Sequence, residues 1–403
     1  MRRRIGIFSR ITKEFGLGYA TGYLIRWALR RTVESVSRDY VFMDVVDVDL
    51  NKKHGTLEKS IYNSESPLVW FVPAWSNVWG GGHFTIFRFA HLMTKRRENI
   101  IFVYDNDGRW PAKYFENSLK VPFKTHKIGV LVDPSKIPVN AIPIATTWQS
   151  AYSVLKHMPS ARFKFYFMQD YENLFYAHGT QSMQALASYQ LGFKAITGGP
   201  WLLSKYREHG GSGTNYMFTV DHSIFYPAKR PRSQVKKIFF YGRPSTERRC
   251  FELGIAALKL IKQNYPEIEI VIAGLDGIGN VGFEATMVGS VALPKLGELY
   301  RSCDIGIALS GTNLSYLPVE LMACGVPVVT NNGPQVDWYC EDGVNSLVVP
   351  PFPSSILSAV TKLIKDPELS KKLREGGLEK SSSSDWEKEA TSIYRYLTTS
   401  LKS

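Results

Sequence analysis

Two doubly wound α/β domains are predicted for this chain, and three features predict them. From Leu68 onward, short apolar, β-branched and aromatic runs alternate with longer helical patterns, as in parallel strands joined by covering helices. The alternation breaks at a basic, proline-containing stretch, Tyr226-Pro-Ala-Lys-Arg-Pro-Arg-Ser-Gln, and then restarts. Such a stretch can neither continue a helix nor lie inside a sheet. Finally, 403 residues with 44% hydrophobic content suffice for two domains, each with its own core.

In the first domain the spacing predicts strands at Leu68–Val72, Ile100–Tyr104, Ala141–Thr146, Phe163–Met168 and Phe193–Thr197. Crossover helices are expected over Phe84–Met93, Gln149–Lys156 and Leu174–Leu191. After the break come strand Lys237–Tyr241, helix Cys250–Gln263, strand Ile268–Ala273, helix Lys295–Ser302, strand Ile305–Leu309, helix Pro318–Cys324 and strand Pro327–Thr330. The expected division is 1–220 for the first domain with a basic N-terminal extension, 221–235 for a linker and 236–385 for the second domain. Residues 386–403 form a closing helix that can pack back on the first domain. Open α/β sheets bind ligands beyond the carboxyl ends of their strands, so two such domains facing across a cleft suit a ligand with two ends.

The formal net charge of +13 implies an anionic partner, whether nucleic acid, an acidic membrane face or a phosphorylated small molecule. Part of the excess is N-terminal, where Arg2, Arg3, Arg4, Arg10, Lys13, Arg26, Arg30 and Arg31 are opposed only by Glu14. Tyr23, Leu24, Trp27 and Ala28 follow helical spacing, so this segment reads either as a helix lying on anionic lipid or as a solvated surface helix. No apolar run is long enough for a signal peptide or a membrane span. Cys250, Cys303, Cys324 and Cys340 fall in no metal-ligand spacing and suit a reducing cytosol. A cytoplasmic protein is therefore expected, soluble or peripheral on the inner face of the cell membrane.

The second domain holds the sharper motifs. Tyr241-Gly-Arg-Pro-Ser-Thr-Glu-Arg-Arg closes one strand and opens a helix, so Gly242 permits a tight turn and the arginines stand near a helix N-terminus. That combination attracts phosphate. Ser315-Tyr-Leu-Pro-Val-Glu-Leu-Met-Ala-Cys-Gly-Val-Pro-Val-Val reads as a loop, a helix opened by Pro318, a stop at Gly325 and a buried strand. Glu320 then falls in the first helical turn, where it either complements the macrodipole or accepts hydrogen bonds from ribose hydroxyls.

Together these motifs resemble the retaining glycosyltransferases of the GT-B fold, in the large family that includes sucrose-phosphate synthase and many bacterial glycan-building enzymes. The resemblance runs from Tyr241-Gly-Arg-Pro through Leu317-Pro-Val-Glu-Leu-Met-Ala-Cys-Gly-Val-Pro-Val-Val to Glu341-Asp-Gly-Val-Asn-Ser-Leu-Val-Val-Pro. It implies two Rossmann-like domains across a cleft, the first on the acceptor side and the second holding a nucleotide sugar. It implies that Arg243 and Arg248, the latter in place of a family lysine, bind the donor diphosphate and stabilise it as it leaves. Glu320 would pin the ribose, and Gly242, Ser315 and Tyr316 would complete the donor site, with backbone amides from Asn313 to Tyr316 offered to the diphosphate. The family's partner glutamate, eight residues before Glu320, is replaced by Thr312.

The Ser-Tyr-x-Pro-x-Glu variant is similar to bacterial rhamnosyltransferases that use dTDP-β-L-rhamnose to build surface polysaccharides. In the first domain, Tyr166-Phe-Met-Gln-Asp-Tyr-Glu resembles the same enzymes, and Gly80-Gly81-Gly82-His83 resembles the family's acceptor-side loop. On this likeness His83 is a catalytic candidate. Read from the residues alone, the glycines are a flexible turn, His83 a helix cap and Asp170 a strand-end turn residue. The implied partners are a nucleotide-sugar donor and a glycan or lipid-linked glycan acceptor, with no metal, no separate cofactor and no nucleic acid.

Several patterns compete with this reading. Gly277-Ile-Gly279-Asn-Val-Gly282 spells a dinucleotide fingerprint, but no clear helix follows it, so it is expected to be a loop flanking the donor pocket. Asp105-Asn-Asp107 and Asp47-Val-Asp49 each spell D-x-D, the carboxylate pair with which metal-dependent GT-A transferases hold a diphosphate. The first is also an ordinary turn sequence, and the alternation of the second with Val46 and Val48 suggests a solvent face. The eight histidines build no metal-ligand spacing, and no Walker loop, nucleophile elbow or nucleic-acid module is present. Loss of the acid at Thr312 keeps a non-catalytic glycan- or nucleotide-sugar-binding protein as the remaining alternative.

Overall fold

The computed structural model describes residue 21 and residues 46–50, 54–106, 108–228, 234–274 and 281–402. The basic N-terminal helix expected around Tyr23–Ala28, most of the proline-containing break, Asp107, Gly277 and Gly279 lie outside these residues.

Two fully parallel sheets carry the fold. The first has seven strands in the order β3-β2-β1-β4-β5-β6-β7: β1 (Leu68–Val72), β2 (Asn99–Val103), β3 (Gly129–Leu131), β4 (Ile142–Ala145), β5 (Phe165–Met168), β6 (Lys194–Gly198) and β7 (Ser212–Tyr216). Helices α1 (Gly81–Met93), α2 (Ala112–Leu119), α3 (Trp148–His157), α4 (Thr180–Ser188) and α5 (Pro200–Glu208) make the crossovers. Every residue of β1, β2, β4 and β5 is buried, because helices cover both faces of a parallel sheet. Alternate residues therefore feed two cores: Trp70 and Val72 join Phe87 and Phe89 of α1, while Val69 and Phe71 join Ala151 and Val154 of α3. Asn99, polar and fully buried, is satisfied by accepting the Trp70 indole N–H at 2.8 Å and donating to the Arg97 carbonyl at 2.9 Å.

The second sheet has six strands in the order β10-β9-β8-β11-β12-β13: β8 (Lys237–Tyr241), β9 (Glu269–Ala273), β10 (Thr286–Gly289), β11 (Ile305–Ile307), β12 (Val328–Asn331) and β13 (Ser346–Val349). Its helices are α6 (Phe251–Asn264), α7 (Leu293–Arg301), α8 (Tyr316–Ala323), α9 (Pro334–Asp337), α10 (Pro353–Lys365) and α11 (Pro367–Ser381). A last helix, α12 (Trp386–Lys402), returns to the first domain. There Trp386 meets Phe89 edge-on at 5.3 Å, and the Glu389 carboxylate accepts the Met217 amide at 2.9 Å. No helix among the described residues is long and apolar enough to cross a membrane, and all four cysteines are free thiols.

The doubly wound architecture agrees with the sequence pattern, and two elements correct it. The helix expected over Leu174–Leu191 is interrupted: a 3₁₀ turn covers Glu172–Phe175, and α4 starts only at Thr180. Gly179 stands between them in an extended conformation, which a helix cannot pass through. The helix expected to open at Pro318 opens at Tyr316. The amides of the first helical turn have no partner within the helix, so a proline at its third position sacrifices no hydrogen bond.

Close packing fixes how α6 sits on β8. A Cβ added at Gly254 would overlap the buried ring of Phe240. Alanine is the better helix former by about 1 kcal/mol, yet overpacking of this kind costs about 1–3 kcal/mol. Gly254→Ala is therefore expected to lower stability despite its helix propensity, as a lower denaturant midpoint at unchanged slope.

Candidate active site

In the second sheet the strand order reverses between β8 and β11, so the loops leaving their carboxyl ends diverge and open a crevice there. The loop after β8 begins at Gly242, whose amide donates to Ala273 O at 2.8 Å. Gly274, at φ +83°, lies against it, with room for a Cβ only 3.0 Å from Gly242 O. Arg243 follows and is exposed. A 3₁₀ turn over Glu247–Arg249 leads to Cys250, left-handed at φ +52°, which starts α6. The amide of Gly311, in the loop after β11, donates to Arg248 O at 2.8 Å and ties the two loops together.

The first domain enters this crevice through the residues after β5. The Asp170 carboxylate accepts the Asn313 amide at 2.8 Å and the Thr312 hydroxyl at 3.0 Å. It also lies 3.4 Å from Arg248 Nε and 3.5 Å from Arg249 Nη2. Asn313 reinforces the contact by donating its side-chain amide to Gln169 O at 3.0 Å and Gly198 O at 2.7 Å. The carboxyl edges of the two sheets thus face each other and are joined by buried polar contacts. A few residues away the seam is apolar, with Phe218 of the first domain stacked on Tyr316 at 4.4 Å and edge-on to Trp338 at 5.2 Å. Gly199, at φ +86°, lets the chain pass under the Trp338 ring, where any Cβ would collide.

The two neighbouring arginines differ in employment. Arg249 donates to Ser310 Oγ and to Asn313 O, the latter at 2.9 Å, and so braces the loop after β11. Arg248 instead lies over the Phe175 ring at 3.8 Å, and its guanidinium makes no hydrogen bond among the described residues. Burial lowers the proton affinity of both against the pull of Asp170, and Arg243 is close enough to lower it further. An arginine stays charged through such shifts. Two guanidinium groups therefore flank one carboxylate, with Arg243 near enough to both to act on them electrostatically.

Glu320 lies apart from these arginines. With α8 opening at Tyr316 it falls in the second turn, where the macrodipole has faded. Its carboxylate accepts the Tyr300 hydroxyl at 3.0 Å, and burial pushes it up to about 7. The side chain of Tyr316 is committed to the seam between Phe218 and Trp386, leaving its backbone as the group it can offer. Ser315 is the N-cap residue and caps nothing with its own hydroxyl. Of the amides expected to meet a diphosphate, those of Asn313 and Leu314 are already bonded, to Asp170 and Gln335.

On the acceptor side, Gly80 is the N-cap of α1, and Gly82 O accepts the Gln169 side chain at 3.0 Å. His83 packs beside Trp75 and Phe87 and donates from Nε2 to Pro73 O at 3.2 Å. Burial lowers its proton affinity, so it is neutral at physiological pH. Asp105 is spent locally on the Ala74 amide at 2.6 Å, and Asn106 bonds Trp110 in both directions. Asp47 and Asp49 are exposed, while Val46 and Val48 pack beside Trp148 and Tyr152. Sequence reasoning missed the bridging role of Asp170, the ring of Phe175 and the donor at Thr312. The Gln169-Asp-Tyr-Glu stretch was the signal for the first.

Two parallel-sheet α/β domains joined carboxyl edge to carboxyl edge are the arrangement of the GT-B fold. Residues 236–361 match the family model described as WsaF, C-terminal domain. The chain is 38% identical over 342 residues to the O-antigen biosynthesis protein RfbC of Myxococcus xanthus, covering 82% of this chain and 27% of that one. It thus spans about a quarter of that relative's length. Among solved structures, HepE of Anabaena in complex with UDP-glucose superposes with a TM-score of 0.64 at 15% identity, over 83% of this chain and 99% of that one. Sucrose-phosphate synthase of Thermosynechococcus elongatus gives 0.63 at 15% identity, over 83% and 100%. At such identity the likeness is one of fold.

A second carboxylic acid beside the cluster gives the site a pH signature. Glu172 accepts the Trp148 amide at 2.6 Å and the Tyr166 hydroxyl at 3.2 Å, yet burial, with Asp170 nearby, pushes it up to about 8. Glu172 and Glu320 therefore both bind their protons more tightly folded than at the ordinary value of 4.5. Their contribution to stability is complete below that value and is lost as pH rises through about 7 and about 8. Melting temperature is expected to fall between pH 4.5 and about pH 8, and Glu172→Gln and Glu320→Gln should each flatten the slope. Variants that keep the wild-type slope would remove these groups from the explanation.

Proposed function

We propose that this chain is a glycosyltransferase that moves a sugar from a nucleotide-sugar donor to a glycan acceptor in surface-polysaccharide synthesis. The observation that carries the reading is the pairing of Arg248 and Arg249 with one carboxylate, Asp170, at the switch point of the second sheet, with Arg243 close to both arginines. Such a centre retains excess positive charge inside a partly dry crevice, the requirement for binding a diphosphate and stabilising it as it departs. Arg243 is exposed and Arg248 has unused donors, so these two meet the diphosphate while Arg249 holds the loop. Glu320, which accepts the Tyr300 hydroxyl, serves the ribose.

Retention follows on this reading if the acceptor hydroxyl enters from the face that the diphosphate leaves, with a phosphate oxygen taking its proton. Positive charge replaces a metal. The Ser-Tyr-x-Pro-x-Glu resemblance to rhamnosyltransferases, beside the likeness to an O-antigen biosynthesis protein, favours dTDP-β-L-rhamnose as donor and a glycan or lipid-linked glycan as acceptor. The basic Arg2–Arg31 segment supports work at the cytoplasmic face of the membrane, where it can touch anionic lipid.

Arg243→Ala is expected to lower kcat/KM by about 10²–10³ with an unchanged circular dichroism spectrum, and wild-type transfer should persist in excess EDTA. A folded Arg243→Ala variant at wild-type activity would sink the site, and a strict need for magnesium or manganese would move the chemistry to the D-x-D alternative. Co-sedimentation with phosphatidylserine vesicles is expected at low salt, weakening as salt rises. Equal sedimentation after removal of residues 1–31 would refute that role for the basic segment.

A further inference from the structure

We propose that Phe175 of the first domain is a positioning residue for the donor site, holding the Arg248 guanidinium in place for the diphosphate with Asp170 at its edge. The inference rests on reading the crevice as a donor site, and it makes that site a joint product of both domains.

Arg248 is an unusual arginine. Its side chain is only 30% exposed, yet none of its N–H groups has a hydrogen-bond acceptor among the described residues, and Nε is cut off from water. A guanidinium carries five donors, and buried donors are ordinarily satisfied. The Asp170 carboxylate stands 3.4 Å from Nε but lies in no hydrogen-bonding alignment. A carboxylate beside an arginine would ordinarily take it in a two-pronged pair, which would cancel the charge that a ligand needs.

Phe175 is what keeps that pair from forming. Its ring lies 3.8 Å beneath the guanidinium carbon, well inside the range of cation–π attraction, and fixes the plane of the group. Asp170 is meanwhile held to the other domain's loop by its short bonds to Asn313 and Thr312. Neither partner can turn toward the other. The turn that carries Phe175 is itself clamped: Glu172 is bonded to the Trp148 amide and the Tyr166 and Tyr189 hydroxyls, and Asn173 O accepts from Ser182. On the other side, the Arg248 carbonyl is pinned by the Gly311 amide. Each half of the stack is built into its own domain, and the stack exists only when the domains meet.

The arrangement also gives a reason for arginine at position 248. A planar cation can lie flat on a ring and still present its N–H fork sideways, whereas an ammonium group would offer only a point charge.

The test is a binding measurement on the full chain, with dTDP and UDP each titrated calorimetrically and the tighter binder used throughout. Arg248→Gln should weaken binding about tenfold or more, as expected for loss of a charged contact. Phe175→Leu should weaken it about fivefold, Phe175→Tyr should retain near-wild-type affinity, and Phe175→Met replaces the leucine variant if that one loses its fold. In the Arg248→Gln background, Phe175→Leu should add less than about twofold. An unchanged affinity in Phe175→Leu, or an undiminished fivefold loss in the Arg248→Gln background, would overturn the positioning role. If neither nucleotide binds, or if Arg243→Ala and Arg248→Gln leave affinity untouched, the donor-site reading falls and takes this inference with it.

Discussion

The structure turns on one carboxylate. Asp170 leaves the carboxyl end of β5 in the first domain and is engaged by four residues of the second: Thr312, Asn313, Arg248 and Arg249. A buried carboxylate is costly unless its charge and its lone pairs are matched. Here the lone pairs go to an amide and a hydroxyl, and the charge is more than balanced by two guanidinium groups. Because those partners sit on the loops after β8 and β11, the contact that joins the domains also shapes the crevice at the switch point.

Around that polar centre the seam is sealed by aromatic packing. Tyr316 lies between Phe218 and Trp386, and Arg88 sits over the Trp386 ring while paired with Asp221 at 3.2 Å. Helix α12 contributes Trp386 to this seam although it is the last element of the chain. Its Glu389 accepts the Met217 amide, and Ser384 O accepts the Thr219 hydroxyl. The chain therefore crosses between domains twice, once after β7 and once before α12, which limits relative motion to modes that both crossings tolerate.

The fold was legible in the sequence because burial on both faces writes parallel strands as continuous apolar runs, as in Leu68–Val72 and Lys237–Tyr241. Strands without that signature were not legible. β7 reads Ser-Gly-Thr-Asn-Tyr, and β3 has three residues; each lies at a sheet edge, where one neighbour and partial exposure relax the composition. The site was legible where a motif folds locally, as in the Gly242–Arg248 loop. It was illegible where it depends on residues far apart in the chain. Phe175 looked like part of a helix because its apolar spacing runs on toward Leu191, and only the break at Gly179 releases it to lie under Arg248.

Thr312 shows how a departure from a family pattern can be a consequence of the architecture. A glutamate eight residues before Glu320 would set its carboxylate in the loop that here donates to Asp170 at 3.0 Å. Two carboxylates at such a distance cannot both ionise without strong repulsion, so one would hold a proton or the domains would part. A threonine hydroxyl converts the clash into a hydrogen bond. The acidic group at this point of the crevice is thereby supplied by the first domain, and its charge is flanked by Arg248 and Arg249 of the second. The same exchange accounts for the neighbouring Asn313. Its amide and side chain together reach Asp170, Gln169 and Gly198, so the loop after β11 is fixed by contacts across the interface and has little need of its own secondary structure. The loop that carries the switch point is ordered by the domain it faces, which makes the apposition of the two domains a condition for the site.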